Sequence, residues 1–221
     1  MRKAEIVEQQ RAEPTLWLEN EHWWLYAVHP SFAPQYARFH ARNRQHLHMA
    51  MTQLDELEQL AYWRDELPRR QAAMDAGQAV HLVGFSKYRD DGEIGCLNSY
   101  WAIEHGDFRA CTISFMLDEP LEGRGLMYAA AAPASREVLR RYQLHRIMAT
   151  HLPENLRSAK LLRRLGFAVE GYARDFVMIN GKWRDNVLLS LLEPDAPHVS
   201  HAPYAPQTSQ TLQTPQALPA S

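Results

Sequence analysis

Cysteine is scarce in this sequence: Cys96 and Cys111 are the only two in 221 residues. Both fall in predicted strands and are expected as buried, reduced thiols of a cytoplasmic chain. Charge of one sign is scarce as well. The net charge is -2, which gives no global attraction to nucleic acid or to an anionic membrane. No apolar run reaches about 18 residues, so no membrane span is predicted. Met1-Arg2-Lys3-Ala4-Glu5 lacks the apolar stretch of a signal peptide. No Gly-x-Ser-x-Gly elbow occurs, which leaves a Ser-His-Asp hydrolase unsupported. His46 and His48 stand two apart on a predicted helix, point in different directions, and have no cysteine or carboxylate set beside them. No metal is assigned.

What is present suffices for one domain of ordinary size or two small ones, since 46% of the residues are apolar. Residues 1–20 read as a polar extension and 21–193 as the folded domain. Six of the thirteen prolines follow residue 193, among Ala, Gln, Ser and Thr. Such a segment, 194–221, cannot offset its ordering entropy by burial and reads as a disordered tail. Trp17, Trp23 and Trp24 are expected to pack on the domain, with a first strand over Trp23–His29. Helical spacing covers Pro34–His48 and continues from Leu54 to Leu67. Arg69-Arg70 reads either as a solvated face or as a contact for an acidic substrate or rRNA. From Ala79 the period changes to two, with His81, Val83 and Phe85 on one face and Val80 and Leu82 on the other. Asp90-Asp91-Gly92 and His105-Gly106-Asp107 are turn signals that bound a strand over Glu93–Ile103.

The stretch from Arg109 to Phe167 organises the chain. Ile113, Phe115 and Leu117 alternate with Thr112, Ser114 and Met116, the mark of a strand with two different faces. Glu122-Gly123-Arg124-Gly125-Leu126-Met127 then opens into a helix predicted to reach about Tyr142. A glycine turn at a helix start offers unpaired N–H groups at the positive end of the helix dipole, which suits a phosphate. Pro133 lies inside this helix but off its apolar stripe, and predicts a bend. Arg146–Leu152 reads as a strand, and a helix from Asn155 is stopped by Gly166. Asn180-Gly181 between Phe167–Ile179 and Lys182–Leu192 signals a two-residue type I′ hairpin.

These blocks resemble the GNAT acyltransferases, whose motif is Gln/Arg-x-x-Gly-x-Gly/Ala at a strand-to-helix turn. Within them the chain is similar to the RimJ type, the bacterial ribosomal-protein N-terminal alanine acetyltransferases. Gly123-Arg124-Gly125-Leu126-Met127, Leu144-His145-Arg146-Ile147-Met148-Ala149 and Arg163-Arg164-Leu165-Gly166-Phe167 carry the likeness. Glu170-Gly171-Tyr172-Ala173-Arg174-Asp175 and Asn180-Gly181-Lys182-Trp183-Arg184-Asp185 continue it in the same order. The resemblance implies a mixed α/β fold, with a seven-strand, partly parallel sheet flanked by helices.

It also implies acetyl-CoA as acetyl donor. Main-chain N–H groups of Gly123, Arg124, Gly125, Leu126, Met127 and Tyr128 would hold the pyrophosphate. The exposed main chain of Phe115, Met116 and Leu117 would pair with the pantetheine arm, near Asn155. Three positions depart from the pattern. Glu122 stands where Gln or Arg is usual, Met127 replaces the last Gly/Ala, and Leu162 occupies the place of a tyrosine general acid. Ser158 matches a serine thought to act as acid in the RimL type, and is equally a plain first-turn helix serine. Thr112 and Thr150 stand where two relatives carry a catalytic glutamate. His151 and Glu154 lie near the expected pocket, as candidates for the base or as surface residues.

A strong base is not required for an N-terminal amine. Its pKa of about 7.7–8 leaves roughly a third neutral near pH 7.5, against about one in a thousand for lysine. The reading is acetyl transfer to the N-terminal α-amine, of alanine on a ribosomal protein. Any nucleic-acid contact would come through the ribosome. Transfer to a small amine or a lysine side chain is the first alternative, and a non-catalytic acyl-CoA-binding or ribosome-assembly protein is the second.

Overall fold

Period-two patterning folds into the strands it predicts, and the computed structural model describes residues 13–52 and 54–193. The strands are β1 (Leu16–Glu19), β2 (Trp23–Ala27), β3 (Val80–Ser86), β4 (Ile94–Glu104), β5 (Ala110–Leu117), β6 (Arg146–His151), β7 (Ala168–Ile179) and β8 (Lys182–Leu192). The helices are α1 (Ala33–Leu47), α2 (Leu60–Asp75), α3 (Leu126–Tyr142) and α4 (Leu156–Leu165). The predicted tail from residue 194 lies outside the described residues.

One sheet of 8 strands runs in the order β1-β2-β3-β4-β5-β6-β8-β7. Seven strands are predicted; the additional one is β1, which lies in the stretch assigned to the polar extension. Neighbours are antiparallel except β5 and β6, which are parallel and joined through α3. The side-chain alternation of the strands feeds two cores. Val80, Leu82, Cys96, Tyr100, Cys111, Ile113, Ile147 and Ala149 pack with α3 and with Leu162 of α4 on one face. Val83, Ile94 and Leu97 pack with Tyr36, Phe39, Trp63 and Leu67 of α1 and α2 on the other. Both cysteines are free and buried, and burial pushes the Cys111 thiol up to about 12, so neither is a reactive thiolate.

Helix α3 runs continuously through Pro133. The carbonyl of Ala129, which a proline four residues on cannot serve, accepts from Asn20 Nδ2 at 2.9 Å. Asn20 also accepts from the N–H groups of His22 and Trp23, and the fully buried Trp23 donates its indole N–H to Leu126 O at 2.8 Å. The β1–β2 hairpin therefore grips the first turns of α3. Helix α4 is bounded as its sequence signals: Asn155 caps its start and Gly166, at φ 94, its end. Asn180 and Gly181 both take positive φ, 50 and 76, as a type I′ turn requires.

Candidate active site

Strands β5 and β6 pair over only three steps, Ala110↔Arg146, Cys111↔Ile147 and Thr112↔Met148. Beyond Thr112, β5 continues to Leu117 hydrogen-bonded to β4 alone, and β6 continues to His151 bonded to β8 alone. The two strands part, and a cleft opens between their facing edges. Phe115, Met116 and Leu117 lie on that edge, whose main-chain groups no described strand takes up. Phe115 and Leu117 pack toward the α3 core and Met116 toward the α1–α2 core, as the alternation predicts.

The glycine turn stands at the mouth of the cleft. Gly123 and Gly125 both sit at φ 74, a left-handed conformation that side-chain-bearing residues rarely adopt. A Cβ added at Gly123 would meet nothing within 4 Å, so the turn is open at that residue. Gly125 heads α3 without a side-chain cap, and the first bond back into the turn runs from Ala129 N–H to Gly125 O at 3.1 Å. The amides of Leu126, Met127 and Tyr128 consequently have no acceptor within the helix and point out of its positive end. Arg124 is exposed beside them, and the Arg164 guanidinium lies 4.1 Å over the Tyr128 ring. This arrangement fits a diphosphate.

Glu122 does not spoil that fit. His46 Nε2 lies 3.1 Å from its carboxylate, and Arg157 forms an ion pair with the other oxygen. The acidic departure from the motif is thus tied to α1 and α4 rather than left facing the turn. The second departure, Met127, is buried in the α3 core, away from the loop surface.

At the other end of the cleft, His151, Asn155 and Ser158 form one local network. Leu152 O accepts from Asn155 N–H at 2.9 Å and from His151 Nδ1 at 2.8 Å. Because a carbonyl only accepts, Nδ1 carries a proton, so in the neutral ring the lone pair is on Nε2. Asn155 Oδ1 accepts from Ser158 N–H at 3.1 Å. Leu162, at the place of the absent tyrosine, is buried in the core. Thr150 offers only a hydroxyl, bonded by Asn186 Nδ2 at 2.9 Å, and Glu154 is engaged by Arg184.

A groove of about 430 Å³ lies on the α1–α2 side of the sheet and reaches the cleft at Ser114 and Met116. His81 and Ser99 form its floor, and Glu66, Arg69 and Arg70 of α2 form its wall. The Arg69-Arg70 pair singled out in the sequence stands on the groove's wall, whereas its floor carries no motif and is brought together by strand register alone. Among the described residues no group of His, Cys, Asp and Glu could hold a metal ion, and no helix is long and apolar enough to cross a membrane.

A family model described as the acetyltransferase (GNAT) domain matches residues 11–168. The chain belongs to the GNAT acetyltransferases. Among relatives of this GNAT chain, the [ribosomal protein uS5]-alanine N-acetyltransferase of Escherichia coli (strain K12) is 36% identical over 169 residues, which is 76% of this chain and 86% of that protein. The structure of a ribosomal-protein-S5-alanine acetyltransferase from Vibrio fischeri superposes with TM-score 0.76 at 30% identity, over 80% of this chain and 97% of that one. RimJ of Mycobacterium smegmatis, solved in complex with CoA-disulfide, shares the fold with TM-score 0.72 at 24% identity, over 79% of this chain and 84% of the other.

Proposed function

We propose that this GNAT chain transfers an acetyl group from acetyl-CoA to the N-terminal α-amine of a ribosomal protein that begins with alanine. The observation that carries the reading is the parting of β5 and β6 beside an uncapped helix start. It is supported by 36% identity to an alanine N-acetyltransferase over 169 residues. Acetyl-CoA would supply an activated acetyl thioester.

The main-chain N–H groups from Gly123 to Tyr128 hold the pyrophosphate in this reading, with Arg124 adding charge. The free edge of Phe115, Met116 and Leu117 pairs with the pantetheine arm as an added strand would. An N–H on that edge polarises the thioester carbonyl, an oxyanion-type contribution. Asn155 shapes the inner end of the cleft. As the amine nitrogen bonds to the acetyl carbon and the C–S bond breaks, His151 Nε2 accepts the proton released by the amine, and Ser158 Oγ donates its proton to the departing sulfur and regains one from solvent. The unassisted amine is already partly neutral near pH 7.5, so a base of ordinary strength suffices. We place the protein in the cytoplasm, which keeps thiols such as Cys96 and Cys111 reduced.

The test compares two peptides in the presence of acetyl-CoA. One starts with a free alanine amine; the other has that amine blocked and an internal lysine free. Free-thiol release and product mass are followed for both. The first peptide is expected to gain one acetyl group at its α-amine and the second to react at least about 100-fold more slowly, given the scarcity of neutral lysine. Equal reaction of the blocked peptide would rule out α-amine specificity.

A further inference from the structure

The groove beside the cleft carries a charge that acetyl transfer itself does not use. We infer that it seats the first residues of the acceptor polypeptide and selects an acidic side chain at the third or fourth residue, through Arg69 on α2. This inference rests on the acetyltransferase reading above and names the acceptor's chemistry at the same site.

Strand register aligns His81 with Ser99 and Ser99 with Ser114, so the three lie in one row across β3, β4 and β5. Ser114 is exposed where β5 has left β6, beside the acetyl-transfer cleft. Adjacent strands are about 4.8 Å apart, so the row spans about 10 Å, and an extended chain advances about 3.3 Å per residue. An acceptor with its amine at Ser114 therefore has its third or fourth residue above His81. Met116 and Trp101, which is 47% exposed, offer apolar surface to the residues between.

The α2 wall of the groove is unevenly charged. Arg70 is engaged, with Nε 2.9 Å from Glu66 and its guanidinium 5.1 Å from the Trp63 ring. Arg69 is exposed and has no carboxylate within ion-pair distance among the described residues. Two guanidiniums against one carboxylate leave the groove positive, in a chain of net charge -2. His81 donates or accepts at Ser99 Oγ over 2.9 Å. Burial first, and the nearby Arg70 second, lower its pKa to about 4, so it adds no charge near neutrality. Local charge of this sign attracts an acidic side chain and repels a basic one.

Alanine-starting peptides with Glu, Gln or Lys at positions three and four test this, assayed at low salt with saturating acetyl-CoA. The wild-type chain is expected to favour Glu over Lys by about fivefold in kcat/KM, the scale of an exposed ion pair plus its like-charge counterpart. Arg69→Glu should reverse the order, Arg69→Gln should flatten it, and neither should change the KM for acetyl-CoA. An order unchanged in Arg69→Glu, or a wild-type chain that acetylates all three equally, overturns the groove assignment and leaves the acetyltransferase reading standing. Absence of α-amine acetylation on every peptide overturns both.

Discussion

Replacing Gly125 by valine is expected to weaken CoA binding by at least about 100-fold, close to 2.7 kcal/mol, while the chain stays folded. Gly125 holds φ 74 and ψ 6, and an added Cβ would lie 3.3 Å from Arg164 Nη1. A β-branched side chain is strained in that conformation, at a cost of about 1–3 kcal/mol. Relief would rotate the turn and swing the amides of Leu126, Met127 and Tyr128 off a common centre. Gly125 is exposed, so the fold can absorb the change. Gly106→Val is the matched control: Gly106 sits at φ 83 in the β4–β5 turn with nothing within 4 Å. It should carry a similar backbone cost with CoA affinity unchanged. Calorimetric titration of both variants, with thermal unfolding alongside, separates strain from lost phosphate contacts.

Asp118→Ala is expected to destabilise the fold by about 3 kcal/mol, the lower end for breaking a buried ionic cluster. The Asp118 side chain is 1% exposed and accepts from Arg42 Nε at 2.8 Å, Asn43 Nδ2 at 2.7 Å and Arg89 Nη1 at 2.5 Å. Its removal leaves two guanidiniums half-satisfied, though Arg42 retains Glu93 at 2.9 Å and Arg89 retains Asp91 at 3.4 Å. Those remaining partners set the estimate low. The cluster also locates the link from β5 to the glycine turn, because Asn43 Oδ1 accepts from Glu119 N–H at 3.0 Å. CoA affinity should therefore fall with stability.

Acid unfolding gives the same cluster a second signature. Burial raises the Asp118 pKa, but the hydrogen bonds from Arg42, Asn43 and Arg89 outweigh it and hold the carboxyl below its ordinary 3.8. The unfolded chain binds this proton more readily, so the contribution is complete above pH 3.8 and is lost as pH falls through the depressed native value. The imidazoles of His40, buried, and His81, half-buried, act in an earlier window. Burial lowers both to about 4 from 6.5, so the unfolded chain takes up protons that the native one refuses, and stability falls between those values. Asp118→Ala should leave the earlier loss intact and shrink the later one, to which Glu19, Glu137, Glu170 and Asp185 also contribute, in urea midpoints measured against pH.

Much of this was legible in the sequence where local chemistry decides structure. The alternation from Thr112 to Leu117 put each side chain on its observed face, and Asn155, Gly166 and Asn180-Gly181 bounded their elements by cap and turn chemistry. Strand β1 was not legible, since Leu16–Glu19 is four residues long and is held by pairing with β2. Glu122 reads as a charge against a phosphate; only folding brings His46 and Arg157 onto it. Pro133 reads as a bend in the helix, and the partner for the carbonyl it leaves unserved is Asn20, far away in the chain. The row of His81, Ser99 and Ser114 has no spacing signature, because register between strands creates it.

Backbone NMR of the labelled chain titrated with CoA tests most directly whether the glycine turn and the open edge of β5 form the cofactor site. Saturable shifts are predicted to be largest at the amides of Gly123 to Tyr128 and of Phe115 to Leu117, with the β7–β8 hairpin tip at Asn180 and Gly181 unmoved. CoA that fails to bind, or that binds and shifts other amides while these stay in place, would contradict that site.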